Sequence, residues 1–78
     1  MIKFNVEHTD TFGGEANYCW VRRETIELPE NSSDLKIVRA AKKALGINGV
    51  RCTTNNFGDM FELRPVGYPE VIFINFDY

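Results

Sequence analysis

The glycine pair Gly13-Gly14 lies between two stretches with the composition of β-strands, and this constrains the chain more than any other feature. Upstream, Ile2, Phe4 and Val6 alternate with Lys3, Asn5 and Glu7, the period of a strand with one buried and one wet face. Downstream, Tyr18 to Val21 is rich in large side chains that pack well on a pleated surface. Glycine accepts the positive φ of a tight reversal. The sequence therefore predicts a hairpin, with Ile2 to His8 going out and Tyr18 to Leu28 returning.

The returning strand is less regular. Tyr18, Trp20, Ile26 and Leu28 share one parity, Cys19 and Val21 the other, and Arg22, Arg23 and Glu24 interrupt the apolar pattern. A β-bulge near Arg22 would reconcile the two halves. Two readings of the segment follow. In one, Trp20 anchors the core, so that Trp20→Ala would cost about 3–5 kcal/mol, and the arginines are ordinary edge charges. In the other, Tyr18, Arg22 and Arg23 form a recognition patch, because aromatics and Arg dominate binding hot spots.

After Leu28 the polar run Pro29 to Ser33 breaks the strand, and either serine suits the N-cap of a helix from about Asp34 to Leu45. Gly46 is the expected left-handed stop, with Ile47 closing the cap. Leu35, Val38, Ala41 and Leu45 recur on one side as an apolar stripe, with Ile37 bordering it, and Lys36, Arg39 and Lys43 take the opposite side. Beyond the helix, Gly49 to Thr53 predicts a short strand, Asn55 to Asp59 a turn, and Met60 to Pro65 a strand with Phe61 and Leu63 inward. Val71 to Phe76, apolar at consecutive positions, suits a strand in the middle of the sheet. The expected fold is α+β, a small antiparallel sheet with one helix packed on a face, in the order β-β-α-β-β-β. The main alternative leaves the stretch around Val50 as loop.

Seventy-eight residues make one domain, 1–78, and a chain of this size buries only about 60% of its unfolded surface. Binding through a face is an easier task for such a chain than housing a cleft. The net charge of −2 conceals a division: Asn31 to Arg51 holds five basic residues and one acidic, a local +4, and the rest holds four basic and ten acidic, a local −6. The acidic part, including Glu7, Asp10, Glu15, Asp59, Glu62, Glu70 and Asp77, suits a basic protein surface, with Glu15, Asp59 and Glu62 as binding candidates. Lys36, Arg39 and Lys43 would suit phosphate, although the acidic isoelectric point and the lack of a nucleic-acid-binding motif speak against a dedicated module.

No catalytic centre is expected. His8, the one histidine, lies near Asp10 in sequence, which is a weak warrant for acid/base chemistry. A Cys19 nucleophile would require the hairpin register to bring His8 to it. His8, Cys19 and Cys52 lack metal-ligand spacing, and neither a metal nor a cofactor is expected. The chain opens in a strand pattern, without the apolar core of a signal peptide or a run able to span a bilayer, so a cytoplasmic location is expected, with no membrane partner. In that compartment the two cysteines are expected to be packed thiols.

The segment TDTFGGEANYCWVRR, Thr9 to Arg23, resembles a family of small phage and prophage proteins, and the similarity extends through the helix and the turn at Asn56 to Asp59 to the ending FELRPVGYPEVIFINF. The resemblance implies a mobile-element origin and a non-enzymatic inhibitor of a host defence system. An anti-CRISPR protein that occupies a surface of a CRISPR effector complex in the infected or lysogenic bacterium is the leading expectation. A small nucleic-acid-binding or regulatory protein using the basic helix face is the alternative. The resemblance assigns no functional residue.

Overall fold

The computed structural model describes residues 1–76. Five strands form one antiparallel sheet and a single helix packs on one face. The strands are β1 (Ile2–Phe12), β2 (Glu15–Leu28), β3 (Cys52–Asn56), β4 (Met60–Pro65) and β5 (Glu70–Phe76), with α1 (Asp34–Ala44) between β2 and β3. The fold is the expected α+β arrangement in the order β-β-α-β-β-β. In space the strands run β2-β1-β5-β4-β3, so β5, with its continuous apolar sequence, is the central strand. Asp77 of the acidic set lies outside the described residues.

Register fixes which side chains share a face. Ile2, Phe4, Val6 and His8 stand opposite Leu28, Ile26, Glu24 and Arg22, and the β1 residues also meet Phe76, Ile74 and Ile72 of β5. This inner face carries the core, completed by Phe61 and Leu63 of β4 and by Ile37, Ala41 and Leu45 of the helix. The other, outer face has no helix over it. It presents Asn5, Glu7, Arg23, Thr25, Glu62, Arg64, Phe73 and Asn75.

The helix ends follow from local chemistry. Ser33 is the N-cap, its hydroxyl accepting from the Lys36 amide at 3.2 Å, whereas Ser32 turns back to the Pro29 carbonyl at 2.7 Å. Gly46, at φ +75°, stops the helix, and the Ile47 amide returns to the Lys42 carbonyl at 2.9 Å. The buried stripe is Ile37, Ala41 and Leu45, spaced by four. Leu35, expected in that stripe, is 58% exposed: Ile37 and not Leu35 is the first-turn residue that reaches the sheet.

Three other expectations are corrected. The hairpin strands reach the turn itself, with Gly13 and Gly14 at φ +64° and +86°. The third strand begins at Cys52, so Val50 is loop, and Asn55 and Asn56 pair with β4 while Phe57 to Asp59 turn. The irregularity in β2 lies nearer the turn than Arg22: Thr9 pairs with Val21 and Thr11 with Ala16, so Asp10 alone faces Asn17 to Trp20. From Val21 to Leu28 the ladder is unbroken.

Candidate functional site

The irregularity at Asn17 to Trp20 is held by two β1 side chains. The Thr9 hydroxyl donates to the Trp20 carbonyl at 2.7 Å and accepts from the Tyr18 amide at 3.1 Å. The Asp10 carboxylate accepts from the Cys19 amide and from the Asn17 side chain, each at 2.9 Å. Backbone groups that the extra residues remove from the ladder thus regain partners, as such groups must. The Asn17 hydrogen bond first, then the Cys19 amide, hold the Asp10 carboxyl below its ordinary 3.8. Thr9 and its β5 neighbour Val71, both of outer-face parity, are fully buried.

Tyr18 takes φ +55°, the one non-glycine residue with positive φ among those described. This conformation separates two aromatics that parity alone would place together. Tyr18 meets Glu7 on the outer face, and the hydrogen bond to the Glu7 carboxylate raises its phenol above the ordinary 10.0. Trp20 instead meets His8 of the inner face edge-on, with ring centroids 4.9 Å apart. Trp20 is 43% exposed and Tyr18 51%, so Trp20 is not the core anchor that one reading expected. Phe12, at 80% exposure, completes an aromatic arm at the hairpin end, beyond Asp10 where the pairing of β1 with β5 stops. The arm is braced from β4, where the Arg64 guanidinium donates to the Gly14 carbonyl at 2.8 Å, and from the β4–β5 turn, where Thr11 donates to the Pro69 carbonyl at 2.8 Å.

The arginine pair divides between the faces. Arg23 lies on the outer face, bonded to Glu7 at 3.2 Å beside Tyr18, so the structure brings Tyr18 and Arg23 together. Arg22 points to the inner face and donates to the Leu45 carbonyl at 2.9 Å and the Ala44 carbonyl at 3.4 Å, closing the helix C-terminus. Its place is structural, and it does not share the surface of Tyr18 and Arg23. The acidic candidates do not meet: Glu15 is exposed at the turn of the arm, Asp59 is exposed in the β3–β4 turn, and Glu62 is held by Arg64 at 3.1 Å on the outer face. Phe12 was absent from the sequence candidates, and its position beside the glycine turn at the end of an alternating strand was the available signal.

His8 is partnered by Glu70 at 2.9 Å and not by Asp10, whose carboxylate is taken by the arm. The pair borders a cavity of about 320 Å³ walled by Leu45, Ile47, Val50 and Pro65, with Tyr68 and Arg22 at its rim. His8 stands opposite Arg22 in the register, and Cys19 lies in the irregular segment with its amide on Asp10, so the hairpin register does not set His8 opposite Cys19. Cys19 is exposed, contrary to a packed thiol, whereas burial pushes the Cys52 thiol up. Both are free. Among the described residues no group of three or more His, Cys, Asp or Glu side chains is placed to hold a metal ion.

The helix carries the second candidate surface. Lys36, Arg39 and Lys43 are exposed as expected, and Arg39, Lys42 and Lys43 border a shallow hollow of about 410 Å³ with Leu35, Val38 and Asn48. None of these four cations enters a salt bridge among the described residues. No helix is long and apolar enough to cross a membrane among those residues. No family model matches the chain, and no match to it was found among curated proteins or among solved structures.

Proposed function

We propose that the protein is a non-enzymatic binding protein that docks on a larger protein through the aromatic arm. The observation that carries this reading is the exposure of Phe12, Tyr18 and Trp20, spread over both faces of one hairpin end whose backbone is held by Thr9, Asp10 and Arg64. Tyr18 and Trp20 are already held by Glu7 and His8, and large aromatics ordered before binding bring apolar contact area at low entropic cost. Arg23, held beside Tyr18 by Glu7, adds a hydrogen-bond donor.

The resemblance of Thr9 to Arg23 to phage and prophage proteins supports a narrower form of the proposal. In that form the partner is a host defence complex, and the protein is an anti-CRISPR that obstructs a CRISPR effector by surface contact. The test is plasmid transformation of a CRISPR-immune host expressing the protein, combined with co-purification of the tagged effector complex under nuclease treatment. Restored transformation with nuclease-resistant co-purification supports the proposal. Undiminished immunity in hosts carrying each effector type rejects the anti-CRISPR form.

The cations Lys36, Arg39, Lys42 and Lys43, outside any salt bridge among the described residues, favour a second reading, phosphate binding by the helix face. It predicts affinity for DNA or RNA that falls steeply with salt, because counterion release drives such binding. Absence of binding at low ionic strength rejects it.

A further inference from the structure

The sheet ends on one side in a strand whose charges are arranged to meet a second copy of itself, and we propose that the protein forms a two-fold dimer by antiparallel pairing of β2 edges. This inference stands on a different observation from the function proposed above, the bare edge of β2, although Arg23 takes part in both.

The two sheet edges differ. β3, five residues long and polar, is the short edge. β2 is the long one, and its Val21 to Leu28 portion runs without bulge or proline opposite β1. Besides its ladder to β1, this portion makes no backbone hydrogen bond to another element among the described residues. Arg22, Arg23, Thr25 and Glu27 are exposed along it. Proteins blunt such edges by shortening, bulging, proline or covering, because a long bare edge is a template for strand pairing. Charged side chains are a further such device and the one this portion of β2 carries, so their pattern decides what the edge accepts.

That pattern is self-complementary. A two-fold axis through Thr25 sets Thr25 against its own copy and Arg23 of each chain against Glu27 of the other. The intramolecular register already places Glu7 beside Arg23 and Lys3 beside Glu27 on the same outer face. The pairing therefore extends an existing row across the seam, Glu7, Arg23, then Glu27 and Lys3 of the second copy, alternating in sign at every step. The row occurs twice, once on each side of the axis. Shifting the axis to Glu24 opposes Glu24 to itself, and shifting it to Arg23 opposes Arg23 to itself, each a like-charge contact that disfavours the register. A closed isologous contact of this kind joins two five-stranded sheets into one of ten and satisfies both bare edges at once.

The test is sedimentation equilibrium of the full chain with three charge variants, their folding checked by circular dichroism. Wild type is expected at twice the 9.0 kDa chain mass, with a dissociation constant that rises with salt. Arg23→Glu and Glu27→Arg, each placing like charges opposite one another at both pairs, are expected to weaken self-association about tenfold or more. Mixing these two variants recreates opposite-charge contacts at both positions, so the mixture is expected to form a heterodimer that neither forms alone. The double variant, Arg23→Glu with Glu27→Arg, is expected to recover the dimer. A monomeric wild type at every concentration, or a dimer indifferent to both single substitutions, overturns the proposal. Failure of the folded single variants to pair when mixed overturns the assigned register.

Discussion

The Arg22 guanidinium, borne by an edge strand, closes the end of the helix: it donates to the Leu45 carbonyl at 2.9 Å and to that of Ala44 at 3.4 Å. A cation suits this place because the last carbonyls of a helix lack intrahelical partners and carry the negative end of its dipole. Arg22→Ala is expected to destabilise the fold by about 1 kcal/mol, at the lower end for charge-assisted bonds because the side chain is half exposed. Arg23→Ala, which removes a surface pair with Glu7, is expected to cost about half of that or less. Urea denaturation checks both, as a shift in midpoint without a change in slope.

The core and the arm are expected to respond differently to truncation. Leu63→Ala or Ile72→Ala empties a fully buried site on the inner face and is expected to cost about 2–5 kcal/mol. Trp20→Ala removes a half-exposed ring in edge contact with His8 and is expected to cost about 0.5–1.5 kcal/mol. Thermal unfolding of the three variants checks this ranking.

Hairpin, capped helix and central strand were legible in the sequence because each is written locally. Gly13-Gly14 marks the turn, Ser33 and Gly46 bracket the helix, and the unbroken apolar run before Asp77 fits the one strand flanked on both sides by pairs of neighbours. The arm was misplaced because its cause is not local. Thr9 and Asp10 capture backbone amides of Tyr18 and Cys19 from the partner strand, and no periodicity within β2 encodes that capture. The same event turns Tyr18 and Trp20 to opposite faces, so parity failed for Tyr18, whereas Trp20 keeps the inner-face parity but meets His8 at the margin of the core and stays 43% exposed. Arg22 looked like surface charge because its acceptors, Ala44 and Leu45, follow only after the helix. Leu35 and Ile37 are both apolar residues of the first helical turn, and only the packed structure tells them apart, with Ile37 buried and Leu35 exposed.

Acid should loosen the arm at the Asp10 carboxylate. The Asn17 side chain and the Cys19 amide depress the Asp10 carboxyl below 3.8. A group whose folded value lies below its unfolded one contributes stability that is complete above the unfolded value and is lost as pH falls through the folded value. The window therefore lies below pH 3.8, where protonated Asp10 weakens as an acceptor. The amide shifts of Asn17 and Cys19, followed by NMR through this range, are expected to move together. Asp10→Asn is expected to remove that titration.

At the alkaline end the Tyr18 phenol is expected to titrate above 10.0, because the Glu7 carboxylate accepts its proton in a hydrogen bond and then opposes its negative charge. The raised folded value means that this contact stabilises the fold below pH 10.0 and is lost as pH rises through the folded value. Glu7→Ala is expected to return the Tyr18 titration toward 10.0, read from its ring resonances.

The central claim, that the aromatic arm is the docking surface, is tested most directly by the affinity of purified protein for a CRISPR effector complex from a susceptible host. Wild type is compared with Phe12→Ala/Tyr18→Ala and with Lys36→Glu/Arg39→Glu/Lys43→Glu. The arm variant is expected to lose about tenfold or more in affinity, as hot-spot truncation does, with folding intact and the helix variant near wild type. Unchanged binding by the arm variant, together with loss in the helix variant, would contradict the claim.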